Sequence, residues 1–198
     1  MNGYEKRTLE KKNQVLKATF SLINSDTGVE NVTIDDIAEY AKVGKTSIFK
    51  YFGTKDNLIH DVYYSFLYDM ANSAREVMSR NMSFEETMTL LTQNKINLMK
   101  SIHKRFYLDL MEYVTEKNDS GISRMMEQYI KESIGIMLDL FHRGRKEGKV
   151  DLKYSDEFLL LYFETIVEGM SNPKIYEKML PYTQEWTEMI IKGIAPSK

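Results

Sequence analysis

The sequence predicts an all-α chain, on three observations. Proline is held back to positions 173, 181 and 196, so no pyrrolidine ring interrupts most of the 198 residues. No run keeps the strict apolar–polar alternation of a half-buried strand. Apolar residues recur instead three and four apart, between signals that start and stop helices. The expected architecture has two parts. Residues 1–54 form a three-helix helix-turn-helix domain, and residues 55–198 form a helical bundle.

The elements follow in order. A first helix is expected over about 5–24, with Leu9, Leu16, Phe20 and Ile23 on one face. Two short helices follow, about 34–41 and 45–51, and a long fourth helix starts after Thr54 and runs to about 79. Ser83 and Glu86 have the spacing of a capping box for a helix over about 84–101. A sixth helix covers about 103–117 and is ended by Lys117-Asn118-Asp119-Ser120-Gly121. A seventh, about 121–147, stops at Gly148, with Arg143, Arg145 and Lys146 where cations favour the helix dipole. The eighth, about 156–171, follows Ser155 and stops at Asn172-Pro173. The last, about 182–194, follows Pro181 and a shorter helical turn. No internal repeat and no low-complexity segment is present.

Composition narrows the function. There is no cysteine, hence no disulfide framework, no thiolate metal site and no cysteine nucleophile. Three histidines, His60, His103 and His142, are too few and too scattered for a metal cluster. No nucleophile–base pair is visible, so no catalytic residue, metal or cofactor is expected. The N-terminus lacks the apolar run of a signal peptide, and no stretch reaches the eighteen apolar residues of a membrane span. A cytoplasmic location is the expectation. The net charge of −2 conceals an asymmetry: residues 1–55 carry nine Lys/Arg against seven acids, and the rest eighteen against twenty-two. A slightly basic head on an acidic body suits nucleic-acid binding by the head.

Residues 33–58, TIDDIAEYAKVGKTSIFKYFGTKDNL, carry the sharpest signal. Thr33 with Asp36 reads as a capping box, and Val32 is placed to staple onto Ile37. Ile34, Ile37, Ala38 and Ala41 make one apolar helical face. Val43-Gly44 reads as the turn, with Gly44 as a cap or a positive-φ residue. The next helix buries Ile48 and Phe52 and points Lys45, Thr46, Ser47 and Lys50 outward; Gly53-Thr54 stops it, and Thr54 caps its successor. Two short helices and a tight turn are how a chain sets a recognition helix into the DNA major groove. Gly44-Lys45-Thr46 also looks like the end of a phosphate-binding loop. The first glycine of that motif would fall at Glu39, within a helix and after no strand, so no nucleotide cradle is expected.

AKVGKTSIFKYFGTKDNL resembles the signature of TetR-family repressors, roughly A-G-V-S-x-x-T-L-Y-x-Y-F-x-x-K-x-x-L. Val15-Leu16, Ala18, Phe20, Leu22-Ile23, Gly28, Thr33, Ile37 and Ala38 are similar to the family's approach to that signature, so the resemblance covers about sixty residues by motif. It implies that Lys45, Thr46, Ser47, Phe49, Lys50 and Tyr51 face bases or phosphates, with Thr33, Tyr51 and Lys55 suited to phosphate anchoring. Phe49 stands where the family has Tyr, and Gly44 where it has a Ser cap. Asp35, Asp36 and Glu39 add negative charge to the positioning helix, so moderate, strongly salt-dependent affinity is expected.

The resemblance also implies a homodimer through the last two helices. FLLLYFETIVEGM (158–170) is apolar nearly all round, which calls for cover on every side, and the last helix offers an apolar stripe. Leu159, Tyr162, Phe163, Ile166, Trp186, Met189 and Ile190 are the expected interface, against the alternative that both helices are core of one subunit. All twelve internal methionines lie beyond residue 69 and ten of thirteen tyrosines beyond residue 60. The family commonly holds an inducer among its fourth to seventh helices, which here offer Tyr64, Tyr68, Met99, Phe106, Leu110, Tyr113, Met126, Tyr129 and Met137. Methionine and tyrosine suit an apolar or amphipathic ligand, although such stripes are usually core. The resulting expectation is a ligand-responsive, sequence-specific regulator. It would be a repressor that binds an inverted repeat of double-stranded DNA as a dimer, with no membrane partner, and is released by a small apolar or amphipathic molecule. The alternative is a DNA-binding or interaction module with no inducer.

Overall fold

The computed structural model of the chain describes residues 2–116, 120–171, 175 and 178–197. Its helices are α1 (Gly3–Ile23), α2 (Gly28–Asn31), α3 (Ile34–Ala41), α4 (Lys45–Phe52), α5 (Lys55–Ser79), α6 (Phe84–Ser101), α7 (Lys104–Glu116), α8 (Ser120–Lys146), α9 (Asp156–Ser171) and α10 (Thr183–Ile194), with a 3₁₀ turn at Leu180–Tyr182. Among the described residues there is no strand. The four-residue α2 is the one helix in this set that the periodicity did not announce; it is too short to show a period.

Local chemistry accounts for the boundaries. Asn2 caps α1 by accepting from the Tyr4 and Glu5 amides, while the Glu5 carboxylate accepts from the Asn2 amide. Thr33 and Asp36 close the same box at α3, and Ser83 and Glu86 at α6. The Asn57 amide donates to the Thr54 hydroxyl at 3.0 Å, which starts α5. Gly53 and Gly148 take φ of +79° and +68° where α4 and α8 end. Those angles suit glycine and strain any residue with a Cβ.

The chain packs as two compact units, Met1–Asp69 with Ser101–Glu127, and Met70–Lys100 with Gln128–Lys198. The motif-based division at residue 54 followed the end of the helix-turn-helix, whereas packing assigns the first part of α5, and α7, to the head's unit. In that unit Val15, Ala18 and Ile23 of α1 are buried with Ile37, Ala41, Ile48, Phe52, Leu58 and Tyr63. The α1 face differs from expectation at Leu9, which is exposed, because the buried stripe centres on Val15, Ala18 and Thr19. Phe20, Tyr63, Phe66, Phe106 and Tyr113 form a continuous ring cluster with centroid separations of 5.0 to 6.3 Å. Such edge and stacked contacts add to the gain from area burial alone.

The second unit has its own core: Phe84, Met88, Leu140, Phe141, Val150, Leu159 and Ile194. Gly144 lies so close to Phe84 and Val150 that a Cβ there would meet Val150 Cγ2 at 2.5 Å. Arg143 does more than complement a helix dipole. Its guanidinium donates to the Thr87 hydroxyl and to the Met82 and Met78 carbonyls, which ties α8 to the α5–α6 corner. Arg145 pairs with Asp156 at the start of α9, and hydrogen bonds from Arg145 and His142 hold that carboxyl below the usual carboxylate range. No described helix is long and apolar enough to cross a membrane.

Candidate nucleic-acid interface

The interface is built on α3 and α4. The Gln14 side chain donates to the Ala41 carbonyl at 2.7 Å and fixes the end of α3 against α1. The chain then reverses at Lys42, whose φ of +51° places it in the left-handed region, while the Lys42 and Val43 amides donate back to the Glu39 and Ala38 carbonyls. Gly44 is the N-cap of α4 in extended conformation (φ −61°, ψ 141°), the first of the two roles open to it, and the positive φ of the turn falls two residues earlier. The turn must be left-handed where α3 closes, and Val43 then has to return inward as a buried anchor. Val43, Ile48 and Phe52 are buried and fix the rotation of α4.

That rotation decides what α4 presents. Lys45, Thr46, Phe49 and Lys50 are exposed, and Ser47 and Tyr51 are half-buried. The Phe49 ring is 48% exposed, a high value for an aromatic side chain, which leaves its apolar face open to contact. Lys45 is paired with the Asp35 carboxylate at the start of α3. Both partners are more than half exposed, so the pair is a weak surface contact that a phosphate can displace. Thr33 is held by its cap: its hydroxyl donates to Asp36 at 2.6 Å. That bond, followed by the Thr33 amide, lowers the Asp36 pKa. Lys55 is half-buried, and one of its ammonium protons goes to the Val29 carbonyl at 3.0 Å. Tyr40 and Lys42 are exposed beside this surface and escaped the motif, which names the recognition helix rather than the far end of α3.

A polar node beneath the interface was also invisible in the sequence. Asp109 of α7, only 4% exposed, accepts the Val29 amide at 2.8 Å and lies 2.7 Å from Arg105 Nε. With Lys55 on the Val29 carbonyl, both backbone polar groups of residue 29 are held by charged side chains. Gly28 makes this possible. Its φ is +67°, and a Cβ would lie 2.8 to 2.9 Å from Arg105 and Asp109. Next to the node, the Asn24 side chain accepts the His103 amide at 2.6 Å and donates to the Ser101 carbonyl at 3.0 Å. His103 accepts the Arg105 amide as a cap for α7 and stands 3.2 Å from Asp26.

Of the nine residues expected to line a ligand pocket, the six whose side chains are described lie in different surroundings. Phe106 and Leu110 are buried in packing, and Tyr113 joins the ring cluster. Tyr64 and Tyr68 are about half exposed and stack in a surface row with His60. On α5 the buried stripe is Leu58, Ile59, Val62, Tyr63 and Leu67, so Tyr63, one position away and 100° round the helix, faces the core instead. Met137 packs against the core of the second unit. The side chains of Met99, Met126 and Tyr129 lie outside the described residues. The described cavity of about 720 Å³ lies between α6 and α10 and is lined by none of the nine.

The residues expected at a dimer interface divide in a similar way. Leu159 is fully buried within its own subunit, and Tyr162, Phe163 and Ile190 pack against that core, so Leu159 belongs to the core and not to an interface. The outward apolar side chains of α9 are Phe158 and Leu161, 49% and 60% exposed, and those of α10 are Trp186 and Met189, the latter 65% exposed. Ile166 is half-buried. An all-round apolar helix does not reveal which side its own subunit covers.

An all-helical chain with a capped helix-turn-helix and an exposed, polar recognition helix has the form of a helical DNA-binding regulator. Residues 15–62 match the family profile described as "Bacterial regulatory proteins, tetR family". The match covers the N-terminal part of the chain, which carries the DNA-binding domain of TetR-family transcriptional regulators. It is similar to an uncharacterized HTH-type transcriptional regulator, YvaF, of Bacillus subtilis (strain 168), with 21% identity over 88% of this chain and 85% of that one. Its fold is similar to that of the transcriptional regulator FadR from Bacillus subtilis, solved in complex with stearoyl-CoA. There the TM-score is 0.66 and identity 15%, covering 91% of this chain and 98% of that one. Reduced Escherichia coli NemR gives a TM-score of 0.70 at 14% identity, over 95% of this chain and 99% of that one.

Proposed function

We propose that the chain is a homodimeric repressor that binds an inverted-repeat operator and is released by a small apolar or amphipathic ligand. The observation that carries the DNA side of this reading is α4, anchored by Val43, Ile48 and Phe52 while Thr46, Phe49 and Lys50 stay exposed. A dimer would place two such helices about 34 Å apart, one turn of duplex, for successive major grooves. The exposed Phe158, Leu161, Trp186 and Met189 support pairing through α9 and α10. An amphipathic effector is supported by the stearoyl-CoA bound to the structural relative FadR. Release follows if the ligand favours a dimer with a different head separation, and only to the extent of its differential affinity for the two forms.

A second reading, a regulator with no inducer, is favoured by one specific observation. Phe106 and Leu110 are buried against their neighbours, so that part of the expected pocket is filled by the protein's own side chains. Selection from randomised duplex DNA at moderate salt, followed by sequencing of the bound fraction, tests the main reading. An enriched inverted repeat is expected. No enrichment, with binding that vanishes at physiological salt, would leave only phosphate attraction and overturn it.

A further inference from the structure

The groove between α6 and α10 is absorbed by neither the DNA-binding reading nor the apolar-ligand reading. Its volume of about 720 Å³ lies within the range of small-molecule sites. Ile96 and Ile191 give it an apolar floor and more of its surface is apolar than polar, but most of the residues that line it carry a polar group, among them Thr92, Gln93 and Lys100 on α6, and Gln184, Thr187 and Glu188 on α10. We propose that this groove binds a small zwitterionic molecule of short-peptide type, with its ammonium end toward Glu188 and its carboxylate end toward Lys100.

Three observations lead there. The first is the direction of the two helices. Thr92 and Thr187 touch hydroxyl to hydroxyl at 3.3 Å, and Ile194 at the end of α10 shares a core with Phe84 at the start of α6. The helices are therefore antiparallel, and Glu188, one residue past Thr187, sits near the level of Thr92. Lys100 is eight residues further along α6, so the two charges are separated by about 12 Å of helix rise, which their flexible side chains shorten. A chain of three residues, at about 3.5 Å each, spans such a distance.

The second is the use of hydroxyl and amide protons. Thr89 donates to the Glu85 carbonyl at 2.8 Å, Thr187 donates to the Thr183 carbonyl at 2.9 Å, and the Gln93 amide group donates to Asn97 at 3.0 Å. With these protons committed within the helices, the two threonines offer the groove oxygen lone pairs, and Gln93 offers its carbonyl oxygen and one remaining N–H. They call for a ligand rich in N–H groups, which the ammonium and amides of a peptide supply. Glu188 already stands 3.5 Å from Lys192, a long exposed pair that a ligand ammonium displaces at little cost.

The third is the separation of faces on α10. At 100° per residue, Gln184, Glu188 and Ile191 lie roughly 160° from the exposed stripe of Trp186 and Met189. A second copy seated on that stripe leaves the groove open.

Calorimetric titration of the full chain with triglycine as the probe, without DNA, tests the proposal, with N-acetyl-triglycine amide as a probe lacking both end charges. Lys100→Gln and Glu188→Gln each alter an exposed side chain outside the core. Saturable binding of triglycine at millimolar concentration is expected, weakened about threefold by either substitution, the effect of losing one exposed charge contact. The capped peptide should not bind. No saturable binding, equal binding of the capped peptide, or an affinity unmoved by either substitution would overturn it. Because no DNA is present, this result and the operator selection succeed or fail separately.

Discussion

Replacing Gly28 by alanine should destabilise the head unit by about 2.5–5 kcal/mol, a figure with two parts. The first is conformational. The φ of +67° at Gly28 lies in the left-handed region, which costs an L-residue roughly 1–2 kcal/mol. The second is displacement. The new Cβ would lie 2.9 Å from Asp109 Oδ2 and 2.8 Å from Arg105 Nε. Arg105 is part-exposed and can swing away, but Asp109 is buried and can yield only by leaving the Val29 amide. A hydrogen bond to a charged group is worth about 1.5–3 kcal/mol. Urea unfolding of the wild type, Gly28→Ala, Asp109→Ala and the double variant gives the coupling directly. Removing the carboxylate relieves the clash, so the double variant should lose less than the sum of the two singles. Hydrogen exchange at the Val29 amide should quicken in every variant. A Gly28→Ala loss below about 0.5 kcal/mol, or strict additivity, would refute the reasoning.

Four further outcomes follow from the same structure. Lys50→Ala should weaken DNA binding and lower the slope of log affinity against log salt by about one, whereas Asp35→Asn, which frees Lys45, should strengthen binding; filter binding across a salt series reads both. Leu161→Glu should turn a dimer into a folded monomer in sedimentation velocity, while Leu159→Ala should cost about 2–5 kcal/mol of stability as a core truncation; a stable Leu159→Ala would contradict the burial assigned to it. Tyr63 is fully buried with a hydroxyl that has no hydrogen-bond partner among the described residues, and burial pushes its pKa up, so Tyr63→Phe should raise stability by about 1 kcal/mol in thermal or urea unfolding; a loss of stability would show that the hydroxyl is satisfied. The Asp36 pKa is lowered by its bonds to Thr33, so its contribution is fully present above the ordinary carboxylate range and is lost as pH falls through the lowered value; Asp36→Asn should flatten that acid limb of a stability–pH curve.

What the sequence determined by itself is the set of features whose partners lie within one helical turn. Thr33 with Asp36, Ser83 with Glu86, the cap at Thr54 and the stops at Gly53 and Gly148 could be read along the chain, and they place the recognition helix and most helix ends within a residue or two. Their hydrogen bonds close over three or four residues whatever the rest of the chain does. The tertiary structure alone decided which of several apolar stripes turns inward. It chose Tyr63 over Tyr64 on α5, and it made Leu159 core while leaving Phe158 and Leu161 in solvent on α9. It also brought Asp109 to the amide of Val29, eighty positions away, and faced α6 and α10 across a groove. A helix apolar on several sides carries no periodic signal that favours one of them. The choice is made by the helices that come to cover it, and a partner eighty residues distant leaves no mark in local spacing.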